Sequence, residues 1–318
     1  MASINGILPL FKPIGPTSHD MVSLLRKKLN TKKIGHSGTL DPFAEGVLVM
    51  GIGNGTRILE YLKDEKKVYT MTLRLGLLTD TYDIQGQIMA DDHVLFPREK
   101  LEDTIKSLLG SQKQVPPIFS AKKYKGKKLY EYAREGKIIK MPPRQIEIYS
   151  IDLISIEGRD ITIKAVVSPG TYMRSLAFDI GLKLGTNATA VALIRDTNGV
   201  FSTSDCIRID DLDPFNLQVF SRYVVSLNDA LSLFPFVKIK PQFNENVMNG
   251  NPIRLEWIED YEDFAKDDLV RIVNVVGQLI AVGSSERNAS FLQTLKAQKR
   301  NEIIVKAKKV FKEEPNHE

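Results

Sequence analysis

The segment that most restricts the fold of this chain is residues 35–46, GHSGTLDPFAEG. Its three glycines and Pro42 disfavour a regular helix, and it lacks the alternation of apolar and polar residues that is typical of a strand. We therefore predict an ordered loop. Pro42 favours an extended backbone at Asp41, which holds the carboxylate away from the turn. A simpler alternative stays open, because Asp-Pro pairs commonly initiate turns and Asp41 would then only cap the next element.

Length and cysteine content restrict the class of protein. A chain of 318 residues is long enough for two domains, since single cores rarely grow beyond about 250 to 300 residues. The lone Cys206 excludes a disulfide framework, and four scattered histidines do not supply a plausible structural zinc site. GIGNG at residues 51–55 is too loose to count as a nucleotide-binding loop. We expect a reducing cytoplasm, no metal and no cofactor.

The hydropathy pattern indicates neither secretion nor membrane insertion. The first fifteen residues, MASINGILPLFKPIG, lack the basic start and the longer apolar stretch of a signal peptide. No run of about 18 apolar residues, the length needed to span a bilayer, occurs in the sequence. We therefore expect a protein that does not enter a membrane.

Basic residues are concentrated in one segment. From Ala121 to Arg144 the sequence contains nine Lys or Arg residues and two Glu residues, so its net charge of +7 exceeds the +5 of the whole chain. Three tyrosines lie between these charges, a combination suited to neutralising phosphates and stacking on bases. The flanking prolines favour a stiff-ended insertion at residues 114–144 that closes over a bound nucleic acid strand. The alternative is a solvated charged surface with half-buried tyrosines.

Hydrophobic periodicity predicts the elements next to the loop. Residues 18–29 have the pattern of a short amphipathic helix that Ser18 can cap. Alternation over residues 68–75 predicts a strand. Tyr69 then lies at the beginning of that strand.

A second strand is predicted over residues 161–167, followed by a turn and a helix that Thr171 can cap and that ends near Leu184. Arg174 lies in the first turn of this helix, off its buried stripe. The helix dipole there favours an acidic residue over a basic one, so an arginine suggests an anionic partner from elsewhere in the fold. An exposed Arg174 without such a partner is the equally open alternative.

The C-terminal part of the chain has a different texture. From about Phe236 onward, short strands alternate with turn residues, which is typical of a small β-barrel or sandwich. Residues 269–283 predict a hairpin that turns near Gly277, and residues 303–311 predict a final strand. We interpret this part of the chain as a separate small domain.

Several of these segments together resemble one enzyme family. GHSGTLDPFAEGVLVMGIGNGTRIL resembles the catalytic segment of bacterial tRNA pseudouridine-55 synthases, the TruB family. The resemblance extends to GILPLFKPIGPTSHD, KKVYTMTLRLGLLTDTYDIQG, QVPPIFSAKKYKGKKLYEYAREG and SPGTYMRSLAFDIGLKLG, in order over about residues 6–200. VMNGNPI and the predicted hairpin resemble, less specifically, the RNA-binding PUA domain of such enzymes. Phe11 departs from the family pattern, in which Asp or Tyr more often precedes Lys-Pro. This position lies outside the residues expected to take part in the chemistry.

The resemblance implies isomerisation of one uridine, uridine 55 in the T-arm of tRNA, after the base is flipped out. It implies that Asp41 is the essential carboxylate, that Tyr69 stacks on the uracil and can take the C5 proton, and that Arg174 pairs with Asp41. Leu193 would form an apolar wall, and His36 would occupy the gap left by the flipped nucleotide. The further residues expected to bind substrate are Lys12, Lys122, Lys123, Tyr124, Lys125, Lys127 and Lys128.

The resemblance also implies the fold class and the organisation of the chain. We expect an α+β fold, with a mixed, largely antiparallel catalytic sheet flanked by helices over residues 1–232. The basic insertion at 114–144 lies within this domain. A small β-barrel-like PUA domain is expected at 233–312 and a tail at 313–318. The expected partner is tRNA, bound by a cytoplasmic monomer that needs no protein partner.

Two other functions stay open. An RNA-guided pseudouridine synthase of the archaeal and eukaryotic type shares the catalytic loop, but it relies on partner proteins and a guide RNA, whereas the basic insertion here would hold the substrate directly. A non-catalytic module that unfolds and refolds the tRNA elbow is the second alternative, and this role is compatible with catalysis in the same protein.

Overall fold

The computed structural model describes residues 4–63, 65–93, 96–117, 119, 123–128, 132, 135, 137, 139, 141–212, 220 and 222–312. In these ranges the α-helices are α1 (Ser18–Leu29), α2 (Leu59–Leu62), α3 (Arg98–Lys106), α4 (Met173–Leu184), α5 (Leu227–Ala230), α6 (Asn244–Met248) and α7 (Ser290–Ala297). The strands are β1 (Gly6–Lys12), β2 (Ile34–Ser37), β3 (Glu45–Ile52), β4 (Lys67–Leu75), β5 (Leu77–Thr79), β6 (Ile88–Asp91), β7 (Gly110–Gln114), β8 (Lys123–Tyr124), β9 (Lys127–Lys128), β10 (Arg144–Glu157), β11 (Asp160–Val167), β12 (Ala188–Asn198), β13 (Phe201–Ser202), β14 (Ile207–Arg208), β15 (Phe236–Ile239), β16 (Ile253–Arg254), β17 (Ile258–Tyr261), β18 (Leu269–Val273), β19 (Leu279–Ser285) and β20 (Ile303–Val310).

The larger sheet has the strand order β14-β1-β3-β12-β4-β11-β10-β7, with β2 beside β3 and β13 beside β12. Its centre is antiparallel, since β4 pairs antiparallel with both β11 and β12, and β10 pairs antiparallel with β11 and β7. Parallel pairs join β1 to β14 and β12 to β3. The predicted α+β fold with a mixed, largely antiparallel sheet is confirmed.

The central strands follow the sequence pattern closely. Burial alternates along β4, so that Tyr69, Met71, Leu73 and Leu75 all face one apolar cluster. The predicted strands over 68–75 and 161–167 are confirmed, each with one more residue at its start. Buried residues of α4 pack against the same cluster, which therefore joins the helix to the sheet.

The helix caps differ from the predicted ones. Thr17, not Ser18, caps α1, because its hydroxyl accepts from the Asp20 amide and the Asp20 carboxylate accepts from the Thr17 amide, a capping box. The helix α4 begins after Tyr172 and has no side-chain cap. Thr171 donates its hydroxyl instead to Ser168 O at 2.9 Å, which closes the preceding turn.

The described part of the basic insertion includes a short hairpin at residues 123–128, called the basic hairpin below. Strands β8 and β9 pair antiparallel, and Lys125 and Gly126 between them have positive φ angles of 46° and 85°. Positive φ at both central residues defines the type I′ turn that joins tight hairpins. Lys122 lies outside the described residues.

The chain divides into two compact units. One contains the described parts of Met1–Ile7, Gly51–Tyr61 and Val224–Glu318, and the other contains those of Leu8–Met50 and Leu62–Tyr223. The first unit holds a six-stranded, barrel-like sheet with the order β16-β20-β19-β18-β15-β17. The hairpin of β18 and β19 is confirmed, with Gly277 at a φ of 80° in its turn. The boundaries 1–232, 233–312 and 313–318 stay a prediction.

We expect Gly181→Ala to destabilise the protein. Alanine is the better helix former by about 1 kcal/mol, but a Cβ at this position of α4 would lie 2.5 Å from Ala188 N and 2.6 Å from Asn187 C. Because backbone cannot move aside easily, overpacking should lower the free energy of unfolding by about 1 to 3 kcal/mol. Urea denaturation measures this change. The control is Leu182→Ala, whose side chain is 54% exposed; equal destabilisation of both variants would contradict the packing argument.

Candidate active site

The predicted loop is shorter than the segment that suggested it. Gly38–Ala44 connects β2 to β3, whereas the two ends of the segment, 35–37 and 45–46, belong to those strands. Ala44 N donates to Asp41 O at 3.1 Å, so a turn begins at Asp41. Ser18 at the start of α1 accepts a hydrogen bond from Leu40 N at 2.8 Å. The loop is therefore ordered through specific backbone contacts.

A buried lysine holds the end of this loop. The Lys12 side chain has no exposed surface, and its Nζ donates to Ala44 O at 2.6 Å and to Pro13 O at 2.8 Å. Pro42 O lies 3.5 Å from the same nitrogen. Burial lowers the pKa of Lys12 to about 8, although the nearby Asp41 charge opposes that shift. Sequence analysis expected Lys12 to bind substrate, and its described contacts are with backbone carbonyls of the loop and of Pro13.

A buried arginine holds the other side of the loop. Arg195 on β12 is 1% exposed and donates Nε to Val47 O at 2.7 Å. Its Nη atoms lie 3.3 Å from Gly38 O and 3.5 Å from Thr39 O. Sequence reasoning missed this residue, because its position in a strand gives no sign that a charged side chain is buried there.

Arg174 forms a two-point ion pair with Asp41. Its Nε lies 2.9 Å from Asp41 Oδ2, and its Nη2 lies 3.0 Å from Asp41 Oδ1. The Arg174 side chain is 5% exposed, while that of Asp41 is 30% exposed. Such a fork-to-fork pair is made by an ionised carboxylate. Arg174 is therefore a buried support, and Asp41 is the partner that solvent or a ligand can reach.

The remaining donors of Arg174 are also used. Nη1 donates to Thr81 O at 3.0 Å and lies 3.1 Å from Asp83 Oδ2, and Nη2 donates to Phe119 O at 3.0 Å. Burial raises the pKa of Asp83, against the opposing effect of the Arg174 charge. Asp83 lies in one of the segments that carry the family resemblance, but sequence reasoning gave this residue no role. The sign available in the sequence was a second carboxylate in the polar stretch TDTYDIQG.

Tyr69 and Leu193 lie on neighbouring strands within one apolar cluster. Tyr69 on β4 is 7% exposed and Leu193 on β12 is 5% exposed. Leu40 and Phe43, on either side of Asp41, belong to the same cluster. The structure thus brings the predicted aromatic and aliphatic residues together beside the loop that contains the carboxylate.

His36 lies on β2, immediately before the loop. Its Nδ1 is buried and has no hydrogen-bond partner among the described residues. Burial lowers the pKa of His36, the nearby Gly38 backbone opposes the shift, and the Arg195 charge lowers the pKa further. This shift favours the neutral form of the imidazole.

Most of the residues predicted to bind substrate lie in the basic hairpin. Lys125 and its turn are exposed. Lys123, Tyr124, Lys127 and Lys128 lie on β8 and β9.

The arrangement supports chemistry at the Asp41 carboxylate. A charged oxygen that is supported from behind by a buried guanidinium can act as a nucleophile or as a base. The apolar cluster beside it favours a flat, uncharged group over a charged one. No helix in the described part of the chain is both long and apolar enough to cross a membrane.

Comparison with known proteins adds independent information. The family model described as TruB family pseudouridylate synthase (N terminal domain) matches residues 26–173. A protein of Thermotoga petrophila named tRNA pseudouridine synthase B is 45% identical over 307 residues, which cover 96% of this chain and 98% of that protein.

Two solved structures are similar over most of their length. One chain in a structure of an H/ACA RNP bound to a substrate RNA containing 2′-deoxyuridine is 27% identical, with a TM-score of 0.77. One chain in a Cbf5-Nop10-Gar1 complex is 29% identical, with a TM-score of 0.76. Each match covers 96% of this chain and 85% of the other.

The lowered pKa of Lys12 should make protein stability depend on pH. Between the folded pKa of about 8 and the ordinary value of about 10.4, the unfolded chain binds more protons at this residue than the folded chain. Stability due to Lys12 therefore rises with pH, by at most about 1.4 kcal/mol per pH unit. Denaturation of the natural protein and Lys12→Met at about pH 7.5 and about pH 9.5 measures this rise. A stability difference that stays the same at both pH values would contradict the assignment.

Proposed function

The chain belongs to the TruB family of pseudouridylate synthases, and we propose that it isomerises uridine 55 in the T-arm of tRNA to pseudouridine. Its membership rests on 45% identity to a protein named tRNA pseudouridine synthase B along nearly the whole chain. The structural observation that most supports the proposed reaction is the two-point pair of Arg174 with the accessible Asp41.

The reaction rearranges one nucleotide and needs no second substrate. The bond from N1 of uracil to C1′ of ribose breaks, the detached uracil turns, and C5 forms a new bond to C1′. The proton on C5 is then removed and N1 gains a proton, so that the atoms balance. Because oxidation and group donors are not involved, the proposal includes no cofactor.

Asp41 is the reactive group in this proposal. An ionised carboxylate next to the nucleotide can attack C1′, add to C6, or remove the proton at C2′. Each of these steps needs an oxygen that is charged and oriented toward the substrate. Arg174 supplies the orientation, because the planar guanidinium fixes both carboxylate oxygens at once.

The neighbouring residues would receive a flipped base. Extrusion of a nucleotide costs a few kcal/mol of unstacking, which a stacking aromatic and a residue that fills the gap can offset. Tyr69 would stack on the uracil and accept the C5 proton, and Leu193 would form the apolar wall. His36 would fill the gap, a role suited to a neutral imidazole.

The other contacts with tRNA are assigned to basic surfaces. The insertion at 114–144 would contact phosphates of the T-arm, and the C-terminal domain, proposed at 233–312, would bind RNA farther from the reacting base. The protein would act in the cytoplasm as a monomer without a protein partner and could also assist tRNA folding.

The RNA-guided alternative retains some support, since a similar chain occurs in the Cbf5-Nop10-Gar1 complex. Activity of the purified protein on unmodified tRNA alone separates the two.

Asp41→Asn should abolish turnover while tRNA binding stays within a few fold. The amide retains the shape of the side chain but cannot supply a charged oxygen. Pseudouridine mapping on an unmodified tRNA transcript, together with a binding titration, measures both effects. The control is Asp152→Asn, which removes a carboxylate from an exposed position of β10. A residual rate within about tenfold of the natural protein, or about 1.4 kcal/mol of barrier, would rule out Asp41 as the reactive group.

Replacing Lys123, Lys125 and Lys127 together by Ala should weaken tRNA binding and its dependence on salt. For every phosphate that is no longer neutralised, the slope of log affinity against log salt should flatten by up to about 0.7 to 0.9. The chemical step at saturating enzyme should change less, since the contacts proposed for these residues are with phosphates and not with the reacting base.

The matched control replaces three exposed lysines outside the basic hairpin, Lys27, Lys106 and Lys113. Dissociation constants at several salt concentrations are compared for the natural protein and both variants. Equal affinities and parallel salt plots for the hairpin variant and the natural protein would remove the insertion from the RNA-binding surface.

A further inference from the structure

Tyr82 has a backbone conformation that large side chains rarely adopt. Its φ is 59°, in the left-handed region, where the Cβ of an L-residue crowds the following carbonyl oxygen. The other non-glycine residues with positive φ in the described part of the chain are exposed and polar: Asn30, Lys125, Asp267 and Lys299. A half-buried aromatic residue in this conformation is held there by its surroundings.

The Tyr82 ring is held by a stack on Phe178. The two ring centroids are 4.2 Å apart, and the planes differ by 16°. Phe178 follows Arg174 by four residues on α4, so both side chains lie on one side of the helix, one turn apart. The stack therefore fastens Tyr82 to the helix that supplies Arg174.

The residues on both sides of Tyr82 contact the Arg174 guanidinium. Thr81 O accepts from Nη1 at 3.0 Å, and Asp83 Oδ2 lies 3.1 Å from the same nitrogen. Because both contacts use Nη1, the Nε and Nη2 atoms remain available for Asp41. The turn at Tyr82 is what points a carbonyl and a carboxylate from neighbouring residues at one atom.

Backbone hydrogen bonds hold the same turn to the sheet. Ala190 N donates to Tyr82 O at 3.1 Å, and Ile84 N donates to Ala190 O at 3.0 Å. These two bonds would form with most side chains at position 82, since they use only backbone atoms. The ring stack, by contrast, needs an aromatic side chain at position 82.

We propose that Tyr82 is a positioning residue, whose stack on Phe178 orients Thr81 and Asp83 on Arg174 and thereby sets the Asp41 carboxylate. The inference rests on the proposed function, because its readout is pseudouridine formation. Tyr82 does not contact the reacting base in this arrangement. It acts through the guanidinium alone.

The test variant is Tyr82→Asn in the full chain. Asparagine tolerates the left-handed backbone but has no ring, so the change removes the stack and adds no backbone strain. With unmodified tRNA and excess enzyme, we expect the single-turnover rate to fall by about tenfold to hundredfold, as expected when a reacting group is misplaced. The dissociation constant for tRNA should stay within about threefold, because binding of the ground state is not altered. Tyr82→Phe retains the ring and should restore most of the rate.

Phe178→Leu provides a second route to the same decrease in rate. It retains apolar bulk, removes the aromatic stack, and keeps the inference testable if the asparagine variant does not fold. The double variant should be no slower than the slower single variant, since both changes remove one contact. Ile84→Ala, which alters a side chain that is 46% exposed in the same loop, is the control and should retain the natural rate.

Three outcomes would overturn the inference. They are a natural rate in both Tyr82→Asn and Phe178→Leu, rate decreases that add in the double variant, and weaker tRNA binding with an unchanged rate, which would mean a direct contact with RNA. The natural protein distinguishes these failures from failure of the proposed function. If it forms no pseudouridine on this tRNA, the proposed function itself is wrong.

Discussion

The Arg174 guanidinium is the constraint on which the rest of the site depends. Its donors contact groups from separate segments of the chain: Asp41, the turn at Thr81 and Asp83, and Phe119 O. Because the guanidinium is planar and always charged, these contacts fix the relative positions of the segments as well as their distances. Removal of any acidic partner would leave a buried charge poorly compensated, which is far more costly than breaking an exposed ion pair.

The loop that contains Asp41 is held by a different device. Lys12 and Arg195 are buried cations that donate hydrogen bonds to backbone carbonyls of this region, such as Ala44 O and Val47 O. Carbonyl acceptors hold the path of the backbone without using a carboxylate. The Asp41 side chain therefore remains available to Arg174 on one side and to a substrate on the other. Fixing of the backbone and orientation of the carboxylate are thus performed by different residues.

Sequence patterns predict the local elements of this protein better than its long-range contacts. The β4 strand and the β18–β19 hairpin follow from alternation and turn residues, which act over a few positions. The predicted cap of α1 was wrong because the neighbouring Thr17 hydroxyl serves instead. The predicted cap of α4 was wrong because the Thr171 hydroxyl closes the preceding turn and the helix has no side-chain cap. Contacts such as that of Arg174 with Asp41, 133 positions apart, are not encoded in any local pattern. That pairing came from a family resemblance, and Asp83 and Arg195 were missed.

Local preferences are violated at several residues of the site. Arg174 lies near the positive end of a helix dipole, Lys12 is a fully buried amine, and Tyr82 has a left-handed backbone. Each is unfavourable by itself, and each is offset by a contact with another part of the same site. Sequences are otherwise locally consistent with their folds, so a cluster of such exceptions around one carboxylate indicates selection for chemistry rather than for stability. None of these residues could be interpreted from its own neighbours, because the contact that stabilises it is supplied by a distant segment. Their conformations and burial are favourable only once the site is assembled.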